Sequence, residues 1–316
     1  MNGAPLPDPA DLLTPEAFRL LDAIGRAGSF AGAARDLGLV PSALTYRVRQ
    51  IEDALDVLLF DRSSRQARPT PAGVELLAQG ARLKQDVDAV VRRVQRVATG
   101  WEPSLTIAVD GVIAQAALME LCQDFFARDP PTRLRLRDEI LSGTLAALTS
   151  GQADLALGVM LEPANAANLR ARPLGHVRFV YAIAPTHPLA RVPEPLSDSV
   201  LLQHRAVVVA DSAPGSATLS FGLLAGQETL TVASLQAKLA AHLRGLGVGF
   251  LPEPLARPWL ASGQLVERRL ERSTRTATLH YAWPARTQPG QALSWWLERL
   301  ERPVTRRALL QAPASV

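Results

Sequence analysis

The sequence predicts a mainly α winged helix-turn-helix domain, a long linker helix and a two-lobed α/β domain. Three observations carry that expectation. Residues 14–73 break into short amphipathic helices separated by glycine stops and followed by a polar, turn-rich segment. Residues 71–100 hold a seven-residue repeat of aliphatic side chains. Beyond residue 103, short apolar runs alternate with helical periodicity, the pattern of open α/β sheets.

Thr14-Pro15-Glu16 opens the first helix with a hydroxyl N-cap, proline at the first helical position and an acid in the first turn. Phe18, Leu21 and Ile24 follow at helical spacing. Gly28-Ser29-Phe30 ends that helix, and Ser29 can cap a second, Ala31 to Leu37, stopped by Gly38 in the left-handed region. Pro41 starts a third helix, 42–55, in which Leu44, Val48, Ile51 and Leu55 form a buried face. Its other face carries Ser42, Ala43, Thr45, Tyr46, Arg47, Arg49 and Gln50. Hydroxyls, an amide and guanidinium groups so placed hydrogen-bond base edges and phosphates, as a recognition helix must. The following segment holds Arg62, Arg65 and Arg68 three apart, then Thr70. Alone such arginines are solvated loop charges; beside a helix-turn-helix they can reach phosphates or the minor groove as a wing. Ser29, Arg62, Arg65, Arg68 and Thr70 therefore join the helix face as candidate DNA-binding residues.

Leu76, Leu83, Val90 and Val97 recur every seven residues, with Val87 and Val94 between them, a coiled-coil seam of about three heptads. The alternative is an amphipathic helix packed on its own domain. Self-pairing is favoured, because one helix-turn-helix reads little DNA and a two-fold dimer reads an inverted repeat. Gly100-Trp101-Glu102-Pro103 then reads as a hinge.

From Ser104 strand and helix alternate: strands at 105–109, 134–136 and 155–159, helices at 112–128 and 144–149. A second set follows, with strands at 179–183, 206–209, 229–232 and 248–251 and a helix at 235–243. Ligands of open α/β sheets sit off the carboxyl ends of the strands, where helix N-termini favour anions. That places Asp110, Gly111, Val112, Glu139, Leu141, Ser142, Gly143 and Thr144 on one side of a cleft, and Ser212, Ala233 and Ser234 on the other. Ser142 and Ser212 can equally be caps or turn residues. Asp110 and Glu139 would repel an anion unless paired, so a neutral or phenolic inducer stays open. The Gly-rich run 245–250 follows a helix and leads into a strand, the wrong order for a dinucleotide loop.

Five histidines are scattered without metal-site spacing, and no nucleophile elbow or phosphate loop occurs, so neither metal nor cofactor is expected. One cysteine, Cys122, excludes an internal disulfide and fits a small core hydrophobe in a reducing compartment. The first eleven residues lack an export signal and no apolar run could span a bilayer, so a cytoplasmic protein is expected. The net charge of +4 says little, because residues 1–70 hold eight arginines against nine acids, a net of −1. Lysine occurs twice, at Lys84 and Lys238, against 32 arginines, a bias that suggests a GC-rich genome.

From Phe18 to Gly73 the chain resembles the N-terminal signature of LysR-type transcriptional regulators, without a gap. Gly28-Ser29-Phe30, Ala33-Ala34, Ser42-Ala43-Leu44-Thr45, Val48-Arg49-Gln50-Ile51-Glu52, Leu59-Phe60-Asp61-Arg62 and Pro69-Thr70-Pro71-Ala72-Gly73 carry the likeness. Val40 stands where a capping Ser is common, Thr45 for a frequent Ser, and Asp56 for a frequent Gly. A lost cap weakens that helix end by about 1 kcal/mol. His187-Pro188-Leu189-Ala190 and residues 245–252 are similar to stretches of the family's type 2 periplasmic-binding-protein-like effector domain. The resemblance implies a winged helix-turn-helix at 13–70 (helix-turn-helix about 30–49), a dimerising linker at 71–100 and an effector domain at 103–303. Lobe I is expected at 103–168 and 278–303, lobe II at 169–277. The implied partners are operator DNA with inverted half-sites, a small-molecule inducer, and further copies of the chain as homodimer and homotetramer. Contact with RNA polymerase is left open. An inducer-independent DNA-binding protein, or an enzyme on a two-lobed scaffold, are the alternatives.

Overall fold

A computed structural model describes residues 8–61, 66–160, 168–213, 222–272, 275–285 and 288–311. The chain divides into two compact units, residues 1–94 and 95–316.

In the first unit α1 (Pro9–Leu12), α2 (Pro15–Ala27), α3 (Phe30–Leu37) and α4 (Pro41–Leu55) precede a hairpin of β1 (Phe60–Asp61) and β2 (Arg68–Pro69). The caps are local chemistry. The Thr14 hydroxyl accepts from Ala17 N and that of Ser29 from Gly32 N, while Gly28 and Gly38 adopt the left-handed conformation that ends α2 and α3. Val40 supplies no side-chain cap to α4, and Asp56 ends that helix at φ 53°. Leu20, Leu21 and Ile24 of α2 pack with Ala33 and Ala34 of α3 and with Leu44, Val48 and Ile51 of α4. The two small alanines let the helices approach closely. Glu52, buried on α4, accepts from Leu59 N at 2.9 Å and Phe60 N at 3.3 Å, tying the hairpin to the helix.

α5 (Pro71–Thr99) begins directly after β2. Leu76 and Leu77 pack against the helix-turn-helix core. Leu76 therefore belongs to its own domain rather than to an open seam, which corrects that one position of the heptad reading. Leu83, Val87, Val90, Val94 and Val97 are exposed, Val97 by 80%.

The second unit contains β3 (Ser104–Asp110), α6 (Gln115–Phe126), β4 (Arg133–Glu139), α7 (Gly143–Thr149), β5 (Leu155–Val159), β6 (Leu169–Ile183), α8 (Asp198–Leu201) and β7 (Ala206–Val209). These are followed by β8 (Thr229–Val232), α9 (Leu235–Leu243), β9 (Gly249–Pro252), α10 (Glu253–Ala261), β10 (Val266–Glu267), β11 (Arg275–Pro284), α11 (Gln291–Glu301) and α12 (Pro303–Leu310). The main sheet runs β10-β6-β11-β5-β3-β4 with β9 also on β6; β7 and β8 form a parallel pair.

The two expected sets of strands share one sheet through β6, β9 and β11, and among the described residues β7 and β8 pair apart from it. β6, fifteen residues long, pairs antiparallel with β11 along ten registered positions, and the register shifts at Leu279/His280, leaving Leu174 unopposed. This ribbon runs through both lobes. The expected lobe limits fall at the start of β6 and inside β11. The helix expected over 112–128 is shorter, because Gly111 to Ala114 form a turn that positions the site.

Lobe I is built around Leu105, Ile107 and Val109 of β3, covered by Phe125 of α6 and Trp295 and Trp296 of α11, whose rings lie 5.3 Å and 6.1 Å from that of Phe125. Cys122 packs in the same core. The expected hinge is anchored: the buried Glu102 carboxylate accepts from Gly290 N at 2.6 Å and Ala292 N at 3.0 Å, at the N-terminus of α11.

Candidate functional site

On α4, Ser42, Tyr46, Arg47 and Arg49 are exposed, and Ala43, Thr45 and Gln50 half-buried. Thr45 donates to the Pro41 carbonyl at 2.9 Å, so its hydroxyl serves the helix in this state. Gln50 Nε2 donates to the Tyr46 hydroxyl at 3.1 Å, linking two neighbouring groups of the exposed face. Arg47 reaches back to Glu16 of α2 at 2.5 Å, which holds the Glu16 carboxyl below its usual range. Arg49 lines a groove with Glu52, Asp53, Asp56 and Asp61 beyond the helix face. Ser29 is committed to its cap. Thr70 donates to the Leu58 carbonyl at 2.7 Å and accepts from Gly73 N at 3.1 Å, so it too holds backbone. Arg68 is exposed at the hairpin; Arg62 and Arg65 lie outside the described residues.

In the second unit, Asp110 ends β3 and is only 6% exposed. Its two carboxylate oxygens accept from Val112 N at 2.9 Å and Leu141 N at 3.1 Å, with Leu141 held at φ 54°. Burial pushes this carboxyl up to about 7, against the pull of the two N–H groups and helped by the charge of Asp211. The sequence suggests that the turns at 110–112 and 141–144 aim backbone donors at a ligand. Two of those donors are instead spent on Asp110.

Across the cleft, Ser212 donates to Glu139 and accepts from Ile140 N at 2.9 Å, and Ser142 donates to Asp211 at 2.6 Å. Glu139 is also paired with Arg137. A Cβ on Gly143 would collide with the Ser212 hydroxyl, so this clasp requires glycine there. Thr144 is fully buried. Ser234 caps α9 by accepting from Ala237 N at 3.1 Å.

Two spaces lie between the lobes. An inner cavity of about 50 Å³ is lined by Asp110, Gly111, Val112, Leu141, Met160, Phe179, Val208, Lys238, Phe250 and Leu279. An outer groove of about 590 Å³ is lined by Gly111, Val112, Glu139, Ser212, Ala233 and Ser234, with Gln115, Pro252 and Gln311. Ser142, Gly143 and Thr144 line neither; they stand at the clasp. Sequence reasoning missed Lys238, Met160, Phe179, Val208 and Phe250. The one available signal was that Lys238 falls at helical spacing from Leu235, Ala241 and His242 of α9. Burial pulls the Lys238 ammonium down to about 8, and pulls His242, one turn on, to about 3, so that its neutral ring donates from Nδ1 to the Ala182 carbonyl at 2.7 Å.

Among the described residues, no His, Cys, Asp and Glu group could hold a metal ion, and no helix is long and apolar enough to cross a membrane. Residues 15–74 match the bacterial regulatory helix-turn-helix protein, lysR family, and residues 98–303 match the LysR substrate binding domain. The chain is 35% identical over 285 residues to the uncharacterized HTH-type transcriptional regulator YeeY of Escherichia coli, covering 90% of this chain and 92% of the relative. It is 37% identical over 290 residues to the probable HTH-type transcriptional regulator YhaJ of the same organism, covering 92% and 96%. Full-length CbnR, solved in complex with its target DNA, shares the fold at TM-score 0.61 and 17% identity, over 92% of this chain and 100% of that one. Such relatives are transcriptional regulators rather than enzymes. With both domains matched in this order, the chain belongs to the family of LysR-type transcriptional regulators.

Proposed function

We propose that this regulator grips an inverted-repeat operator as a homodimer, through α4 and the β1–β2 wing, under the control of a small inducer between the lobes of residues 103–303. The observation that carries the reading is the pair of spaces between lobes held together by Ser212 and Ser142. A ligand in either space separates or tightens that clasp, and its different affinity for the two arrangements is what shifts their populations. The exposed valines of α5 support pairing through the linker; a tetramer, a cytoplasmic location and contact with RNA polymerase belong to the same reading. Binding sites recovered from random duplex DNA with the full-length protein should be inverted repeats. Compounds that raise its melting temperature should then alter its affinity for the recovered sequence. A compound that fills the cleft yet leaves both affinity and footprint unchanged favours a DNA-binding protein indifferent to inducer.

A further inference from the structure

We infer that Lys238 is the counter-ion for a single carboxylate carried on an otherwise apolar inducer in the inner cavity. The inference rests on the inter-lobe reading above and deepens it by naming the ligand class. Lys238 rises from α9 on the lobe II side, is only 5% exposed, and lines the inner cavity. Among the described residues no carboxylate or carbonyl pairs with its ammonium. Burying an unpaired charge is costly, and a folded chain keeps one where something else supplies the partner. The cavity wall leaves few candidates. Val112, Leu141, Met160, Val208 and Phe250 offer apolar surface, and the one other ionisable group there is Asp110, both of whose oxygens are already occupied by backbone N–H groups.

The wall therefore fixes three properties of the occupant. One anionic group meets Lys238. A second anionic group beside Asp110 would be repelled by its ionised carboxylate and could bind only with that carboxyl protonated. The remaining surface is apolar. At about 50 Å³ the cavity holds a few waters rather than such a molecule, so entry has to enlarge it. The Ser212 and Ser142 bonds are the cross-lobe contacts in the way.

The chain has two lysines, so the full-length protein labelled with carbon-13 at lysine Cε gives two lysine signals, one from exposed Lys84 and one from Lys238. Lys238→Met assigns them, and Lys84→Met serves as a control. The probes are hexanoate and phenylacetate, each against its neutral amide. The acids should shift the Lys238 signal and move its titration upward, toward an ordinary lysine, leaving Lys84 unmoved. The amides should do neither. Lys238→Met should weaken acid binding about 10- to 100-fold, the loss of one charge-assisted hydrogen bond; Lys84→Met should not. The inference is overturned if the acids bind Lys238→Met as well as wild type, if the amides bind as tightly as the acids, or if neither acid at millimolar concentration moves the Lys238 signal. Leu235, at the start of α9, also lines the inner cavity, and Leu235→Trp, which fills that wall, separates the two levels. A neutral probe blocked by Leu235→Trp but indifferent to Lys238 leaves the inter-lobe site standing without the carboxylate. Loss of every probe's effect on wild type as well removes both.

Discussion

Replacing Asp110 with Asn alters one buried charge and little volume. The wild-type carboxyl rises from 3.8 to about 7 on folding. At about 1.36 kcal/mol per pKa unit this is an order of 4 kcal/mol against the folded state once the group is ionised. A carboxyl raised on folding holds its proton more tightly in the native state, so stability falls as pH climbs from about 4 to about 7 and stays low above. Asn carries no charge, but its amide NH2 must face one of the two N–H groups that Asp110 now accepts, leaving a donor unpaired at about 1–3 kcal/mol. Asp110→Asn should therefore be more stable than wild type by about 1–3 kcal/mol at about pH 8 and less stable by a similar amount at about pH 3.5, with the two crossing near about pH 5. Groups such as His242 titrate alike in both proteins and cancel in the difference. Urea unfolding followed by tryptophan emission is the assay. All five tryptophans, at 101, 259, 283, 295 and 296, lie in the second unit and report on it alone. A stability difference with the same sign and size at both pH values refutes the reasoning, because the carboxyl would then ionise in place without cost.

Arg47→Ala should weaken binding to a selected operator by about 1–3 kcal/mol in gel shift and to random DNA far less, whereas Arg68→Ala should weaken both alike and lower the salt slope by about 1. Val90→Glu places a charge on the exposed valine stripe and should shift the protein toward monomer in sedimentation, with affinity lost for paired half-sites. Leu76→Ala should leave assembly intact and instead destabilise the first unit by about 1–2 kcal/mol in calorimetry, since its side chain packs on the helix-turn-helix core. Glu52→Ala strips the acceptor from Leu59 N and Phe60 N and should cost about 2–3 kcal/mol in the melting of that unit while loosening the wing.

The helix-turn-helix was legible because its signals are local. Thr14, Ser29, Gly28 and Gly38 act within four residues of where they stand, and the spacing of Leu44, Val48 and Ile51 states which side of α4 is buried. The linker was half legible: a heptad says that one helix stripe is apolar, but not whether the cover is a second copy or, as at Leu76, the same domain. The ribbon was hidden because Pro173 and Gly175 interrupt the alternation of β6, and its partner β11 lies about a hundred residues further on. Lys238 was missed for a related reason. A lysine on a short helix is ordinarily solvated, and it is buried here by its position against the inner cavity, which only tertiary packing creates. Ser142 and Ser212 looked like caps or ligand contacts, and serve as contacts between lobes.

The ribbon of β6 and β11, together with α11 at its far end, has a consequence for how the regulator comes into being. Lobe I begins at β3, yet its sheet needs β11 between β5 and β6, and its core needs Trp295 and Trp296. Ala114 N, in the turn after β3, donates to the Leu309 carbonyl at 2.8 Å, so even that turn waits for α12. The helix-turn-helix core is built from residues between Leu12 and Leu77. At about 5–20 residues per second, a growing chain therefore carries a complete DNA-reading head for roughly 10–40 s before its second unit can close. Under the inducer control proposed above, the nascent head is beyond the reach of any inducer during that interval, and only after the last helix emerges does the molecule become able to answer one.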